Sequence, residues 1–359
     1  MNKLSFLALI LMVLISCQPS QKVATTTADQ ILLEKLKAVP DTCFLFGQHD
    51  APMYGIGWFG DEDRSDVKSV CGSYPAMMSF DLGGLELGND RNLDSVSFER
   101  MRKEIVKQDA RGGLVTLSWH LRNPKTGGDA WDVSDTTVVH SILNDTALHE
   151  KFLEWLDNVA YFLNSILRED GSKIGMIFRP WHEHTGSWFW WGQKLCSAED
   201  YQALWKLTVE HLKERGVDQL LYAYSPGTEP KTAETYLERY PGDDIISIFG
   251  VDGYQFDHDS YVANLDASLT LIEGLAKERG KIPALTETGY EGIKEADWWT
   301  QTLLPILKKH QLAYLVVWRN AFNKPGHFYG PYPGCLSEED FVKFFQEGSA
   351  MFVKDSSDQ

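Results

Sequence analysis

Ile174-Gly-Met-Ile-Phe178 runs directly into Arg179-Pro-Trp-His-Glu-His-Thr-Gly-Ser-Trp-Phe-Trp-Trp-Gly192. A short continuous apolar run that stops on polar residues reads as a strand buried on both faces, the kind found in parallel sheets. The run therefore delivers Arg179, His182 and Glu183 to the C-terminal end of a strand. Trp188, Phe189, Trp190 and Trp191 follow at once. Flat apolar sugar faces stack on indole rings, and a carboxyl shielded by aromatics keeps its proton closer to neutral pH. Four aromatics in four residues directly after a strand-end Glu point to carbohydrate chemistry rather than to core packing alone.

The same grammar recurs along the chain. Cys43–Phe46 leads into Gln48-His-Asp50, Pro75–Phe80 into Asp81, and Gly113–Ser118 into Trp119-His120. After the central stretch come Gln219–Tyr224, Asp244–Phe249 leading into Val251-Asp-Gly-Tyr254, Ile282–Leu285 leading into Thr286-Glu-Thr288, and Ala313–Val317 leading into Trp318-Arg-Asn320. Helical periodicity fills many of the gaps, at 97–109, 149–168, 198–215, 260–279 and 296–310, after a first helix over 28–39. Eight strands alternating with helices predict an α/β fold, a (β/α)8 TIM barrel in a single domain, with every polar cluster on the C-terminal face where barrel sites are built. A doubly wound open sheet is the competing arrangement. No Gly-x-Gly-x-x-Gly turn follows the first strand and no phosphate loop occurs, so nucleotide binding has no support.

Composition narrows the partners. The chain has 359 residues and a formal net charge of −17, which repels phosphate backbones and argues against nucleic acid. Aromatics make up 12% of the residues, in keeping with a sugar-binding surface. Leu4 to Ile15 is too short an apolar run to span a bilayer comfortably, and it ends in Leu14-Ile-Ser-Cys17, a bacterial lipobox pattern. The expected organisation is a lipoprotein signal over 1–17 with lipid on Cys17, a flexible polar tether over 18–27, and a catalytic domain over 28–354. Membrane contact is then through the N-terminal lipid alone. Gln18 rather than Asp follows the Cys, and no acidic run follows it, so the expected address is the outer membrane facing the periplasm. Cys43, Cys71, Cys196 and Cys335 permit three full disulfide pairings or free thiols, and Cys43 and Cys71 each precede a strand. None has zinc-site spacing.

In the barrel, Glu183 ends the fourth strand and Glu287 the seventh, on opposite sides of the mouth. A sugar lying across that mouth meets both carboxyls, as glycoside hydrolysis requires. Arg179-Pro-x-His-Glu-x-x-Gly-x-Trp-Phe-Trp-Trp-Gly192 resembles the acid/base motif of glycoside hydrolase family 26, and Thr286-Glu-Thr-Gly289 resembles that family's nucleophile motif. Trp119-His120 and Tyr254 also fall where the family places site residues. The resemblance runs from about Gly47 to Asn320. It implies a retaining β-mannanase of clan A, with Glu183 as general acid/base and Glu287 as nucleophile, acting on β-mannan with no metal or organic cofactor; the competing readings are a related β-glycanase acting on xylan or mixed-linkage glucan and a non-enzymatic glycan-binding lipoprotein. One departure is His184-Thr185 where many members have Met-Asn or a similar pair.

Around the two acids, the expected substrate-binding residues are Trp119, His120, Arg179, His182, Trp188, Tyr254, Trp318 and Trp58. Tyr254 is the expected donor to Glu287. Arg179 shares the facing of Glu183 if the strand persists, and His182 faces the other way and supports. Trp190 and Trp191 cannot both face the sugar. Trp58 covers either a distal subsite or the barrel end. Arg319, Asn320 and the loop 327–332 are placed to close one end of the cleft, and Glu291 reads as a loop charge. A monomer is expected.

Overall fold

A computed structural model describes residues 26–354; the lipobox, Cys17 and most of the tether lie outside the described residues. Eight parallel strands close on themselves: β1 (Phe44–His49), β2 (Met77–Asp81), β3 (Leu114–Ser118), β4 (Met176–Arg179), β5 (Leu220–Tyr224), β6 (Ile246–Tyr254), β7 (Ile282–Gly289) and β8 (Tyr314–Val317). Each pairs with the next, and β8 closes onto β1 through Leu45–Tyr314 to Gln48–Val317. Closure rules out the open sheet. A ninth strand, β9 (Ala350–Val353), pairs with the start of β1 and, antiparallel, with Tyr74–Pro75.

The side-chain period of two divides each strand between two cores. Met77, Ile177, Leu221, Ala223, Ile248, Ala284, Tyr314 and Val316 point into the barrel and pack as one cluster. Phe80, Phe178, Tyr222, Phe249 and Leu285 point outward against the helices. Helix α1 (Ala28–Lys37) adds Leu32 and Leu36 to the interior cluster and so closes the N-terminal floor. Its approach requires a glycine before β4: a Cβ on Gly175 would lie 2.4 Å from the Ala28 carbonyl oxygen. Further helices, α2 (Phe98–Ala110), α3 (Thr146–Asn164), α4 (Ala198–Glu214) and α5 (His258–Arg279), lie around the barrel. Their caps are side-chain acceptors at Ser97, Asp145, Ser197 and Asp257.

Several sequence expectations shift. The helix expected over 296–310 is a π-helical turn at Trp299–Leu303 continued by a single α-turn to Leu307. Helix α3 starts earlier and stops at Asn164, because Asp145 caps it. A short helix at Val138–Asn144, a C-terminal helix at Glu338–Glu347 that buries Phe341 and Phe344, and the Tyr54–Gly55/Trp58–Phe59 hairpin lie outside the sequence expectations. Cys43, Cys71, Cys196 and Cys335 are all free thiols, so the disulfide option falls away. Among the described residues no helix is long and apolar enough to cross a membrane.

Candidate active site

At the C-terminal mouth, β4 ends at Arg179 and the chain turns sharply. Trp181 and Glu183 both adopt left-handed backbone, at φ 57° and 52°, a conformation that costs a bulky residue of order 1–3 kcal/mol and concentrates at functional sites. The strand does not persist to Glu183, which corrects the expected common facing. Arg179 instead crosses the barrel. Its Nη1 donates to Asp252 Oδ2 at 2.6 Å and its Nη2 donates to Glu287. Burial opposes the charge on Arg179, but Asp252 and Glu287 outweigh it and hold the guanidinium protonated.

Glu287 reaches the mouth because β7 bulges. Its register against β6 shifts between Leu285 and Glu287, so Thr286 and Glu287, which are consecutive, both face inward. Thr286 Oγ1 donates to Asp252 Oδ1 at 2.6 Å, and Ser225 Oγ donates to Asp252 Oδ2 at 3.2 Å. The Tyr254 hydroxyl donates to Glu287 Oε1. Burial, with Glu287 and Glu183 nearby, pushes the phenol well above its usual range, so it remains a donor. Glu287, 5% exposed, thus accepts on both carboxyl oxygens, gripped from two sides.

Glu183 stands differently. It is half-buried and takes one side-chain donor, Trp188 Nε1, at 2.9 Å from Oε2. Burial raises its pKa well above the ordinary carboxyl value, and the charges of Glu287 and Asp252 add to the rise; Arg179 and Trp188 oppose it. A carboxyl whose protonated form is favoured, facing one that accepts from both Arg179 and Tyr254, suits the division of labour of general acid and nucleophile.

Behind this pair, His120 Nδ1 donates to Asp81 Oδ2 at 2.6 Å, and its Nε2 lies 3.1 Å from His182 Nε2. Burial works against charge on His120, yet Asp81's charge and hydrogen bond, with Glu287 beyond, raise its pKa. His182 is pushed the other way, first by burial and then by Arg179 and His120. The opposed shifts make His120 the favoured proton holder of this pair.

The aromatic surface is smaller than the sequence suggests. Trp188 is 42% exposed and is the open platform of its run, whereas Phe189, Trp190 and Trp191 are buried. Trp318 is half-buried and stacks on His49 at 4.0 Å, beside His120. Trp119 is fully buried against Phe152, Phe178 and Trp181 and donates to Glu86, so it does not reach the cleft. Trp58 is buried, donating to Asp66 at 2.6 Å beneath the hairpin, which leaves it the capping role. His182 is likewise buried and positions His120 rather than facing a ligand. Glu291 is an exposed loop acid bonded to His327.

Sequence reasoning did not single out three elements of the site. Trp131, 48% exposed, stacks on His120 at 5.2 Å and 12°; it sits in an irregular loop with no strand to place it. Asp252 and Asp81 stood in the strand-end runs, and strict alternation from Tyr254 would have turned Asp252 inward. At the far end, Arg319 donates to Asp94 and approaches the Tyr54 hydroxyl at 3.3 Å, while Asn320 receives the amides of Tyr329 and Gly330. His49, Asp50 and Asp94 bring three potential ligand atoms within 4.8 Å here, but Arg319 already supplies the cation to Asp94.

A closed (β/α)8 barrel with two carboxyls at the ends of β4 and β7, one held protonated and one gripped by Arg and Tyr, defines a two-carboxylate glycosidase. The family model described as glycosyl hydrolase family 26 matches residues 20–302, and the chain belongs to that family. A mannan endo-1,4-beta-mannosidase of Bifidobacterium adolescentis is 32% identical over 365 residues; the match covers 94% of this chain but 36% of that protein, so the chain spans about a third of that relative. A mannan endo-1,4-beta-mannosidase of Bacillus subtilis is 26% identical, covering 72% of this chain and 71% of the relative. Among solved structures, a GH26 beta-mannanase from Bacteroides ovatus is 54% identical with a TM-score of 0.90, covering 92% of this chain and 96% of that one. An endo-beta-1,4-mannanase of Cellulomonas fimi is 33% identical with a TM-score of 0.82, covering 90% and 75%.

Proposed function

We propose that this protein is a retaining β-mannanase that cleaves β-1,4-mannosidic bonds in mannan, galactomannan or manno-oligosaccharides. Arg179 and Tyr254 present Glu287 as a bare acceptor facing the anomeric carbon. Glu183, protonated by burial, gives its proton to the departing glycosidic oxygen as Glu287 forms the glycosyl ester. Once the leaving sugar has gone, Glu183 is a carboxylate and takes a proton from the incoming water, which displaces Glu287 and restores both acids. The observation that carries this reading is the unequal treatment of the two carboxyls. Membership in family 26 and relatives named as mannanases support the choice of mannan.

The test is a time course on unbranched mannan and mannohexaose with the mature protein. Mixed-length early products mean internal cutting. Mannobiose from the first minutes means that the Arg319–Asp94 end is blocked. Turnover of xylan or mixed-linkage glucan with none of mannan would overturn the substrate assignment.

For location, we infer a lipid anchor at Cys17 in the outer membrane, facing the periplasm, with residues 18–27 as tether and a monomeric catalytic domain over 28–354. The lipobox pattern supports it. Metabolic labelling with a palmitate analogue, lost in Cys17→Ser, checks it.

A further inference from the structure

We propose that Phe256 and Glu229 form a binding subsite for a sugar on the leaving-group side of the cut, beyond the unit whose oxygen Glu183 protonates. This rests on the glycosidase reading above. Phe256 lies on the turn between β6 and α5, two residues past Tyr254, and is 95% exposed. No other ring lies against it among the described residues. Its neighbours are nonetheless fixed. Gln255 donates its amide to Gly289 at 2.8 Å and accepts from Trp298 Nε1 at 2.6 Å. Asp257 caps α5 by accepting from the Ser260 amide at 2.9 Å. The turn holds the phenyl ring open to water at the C-terminal end of β6, where a sugar face can reach it.

Glu229 stands on the adjacent turn, after β5. Its Oε2 accepts from Thr185 Oγ1 at 2.7 Å, and the same oxygen of Thr185 accepts from the Gly227 amide at 2.9 Å. Thr185 is two residues past Glu183, so Glu229 is tied beside the acid. Glu229 is exposed, with Oε1 left as an acceptor.

The two turns form one unit. A Cβ on Gly253 would lie 2.9 Å from Thr228 Cγ2, and Lys231 Nζ donates both to the Thr228 carbonyl at 2.6 Å and to Asn264 of α5 at 2.9 Å. A flat aromatic face for the sugar's C–H surface and a carboxylate oxygen for its hydroxyls are thereby carried on a rigid ledge. Substrate length beyond the cut is therefore read over β5 and β6.

The experiment compares kcat/KM on mannohexaose with that on a nitrophenyl β-mannobioside, whose leaving group carries no sugar. In Phe256→Ala the hexaose value should fall roughly 3- to 10-fold, the worth of one aromatic contact. The aryl substrate should change by less than about twofold, Phe256→Trp should restore the hexaose value, and Glu229→Gln should show the same selective loss. Equal loss on both substrates, or an unchanged hexaose value in Phe256→Ala, overturns the subsite while leaving the mannanase reading intact. A wild type inactive on both substrates overturns the mannanase reading and the subsite with it.

Discussion

The indole Nε1 of Trp188 lies 2.9 Å from Oε2 of Glu183, so the open aromatic platform is also a hydrogen-bond donor to the proposed acid. This donor favours the charged form of Glu183 and offsets part of the rise caused by burial. Trp188→Phe removes the donor and keeps a ring. The alkaline limb of the kcat/KM profile should then move to higher pH. Gly186→Ala should do the same by another route, because its Cβ would sit 1.9 Å from the Trp188 ring and drive the indole off the acid. An unmoved alkaline limb in both variants would remove Glu183 as the group titrating there.

Glu287→Ala should lower hydrolysis of mannan by roughly 10⁴-fold or more, as removal of a covalent nucleophile does. Arg179 retains Asp252 as a partner, so the domain should remain folded by circular dichroism.

Glu183→Ala should behave unevenly. Substrates with good leaving groups need little protonation, so their glycosylation step should be largely spared, while mannan hydrolysis collapses. Pre-steady-state kinetics on a dinitrophenyl mannobioside would show a burst of phenol followed by slow turnover.

Arg179→Met leaves Asp252 and Glu287 buried without their cation, a loss of roughly 3–5 kcal/mol by analogy with broken buried pairs. The urea midpoint at pH 7 should fall accordingly. The difference from wild type should shrink at acid pH, where protonation relieves the orphaned carboxyls.

His184 is buried between the Tyr201 and Tyr224 hydroxyls, and burial, aided by Arg239, lowers its pKa to about 3. A histidine depressed on folding costs nothing above its unfolded pKa, near 6.5. Below that the unfolded state gains a proton that the folded state refuses, so stability falls by up to about 1.4 kcal/mol per pH unit until pH approaches 3. Urea titrations between pH 7 and pH 4 should show a shallower decline in His184→Gln than in wild type.

How much of this was legible beforehand depends on which physical signal each residue carried. The eight strands announced themselves as apolar runs ending in polar clusters, and Glu183 followed the longest motif. Tyr254 obeyed strict alternation with Asp252, Gly250 and Ile248. Glu287 did not: alternation from the inward Ala284 would have sent it outward, and the bulge after Leu285 turns it back. Arg179 was expected beside Glu183, but the left-handed turn at Trp181 redirects Glu183 and frees Arg179 to cross to β6 and β7. Trp119 and Trp58 are buried rather than open at the mouth, because aromatic identity says nothing about which side of a barrel wall a ring occupies. Their indole donors are taken by Glu86 and Asp66.

The α1 plug fixes a polarity for the whole molecule. Residues 28–37 lie across the floor, so the described chain begins at the end opposite the mouth. On the anchor proposed above, the catalytic domain would be attached on the side of its floor, opposite the mouth. Chains arriving by diffusion would meet the site head-on rather than having to slip between protein and lipid.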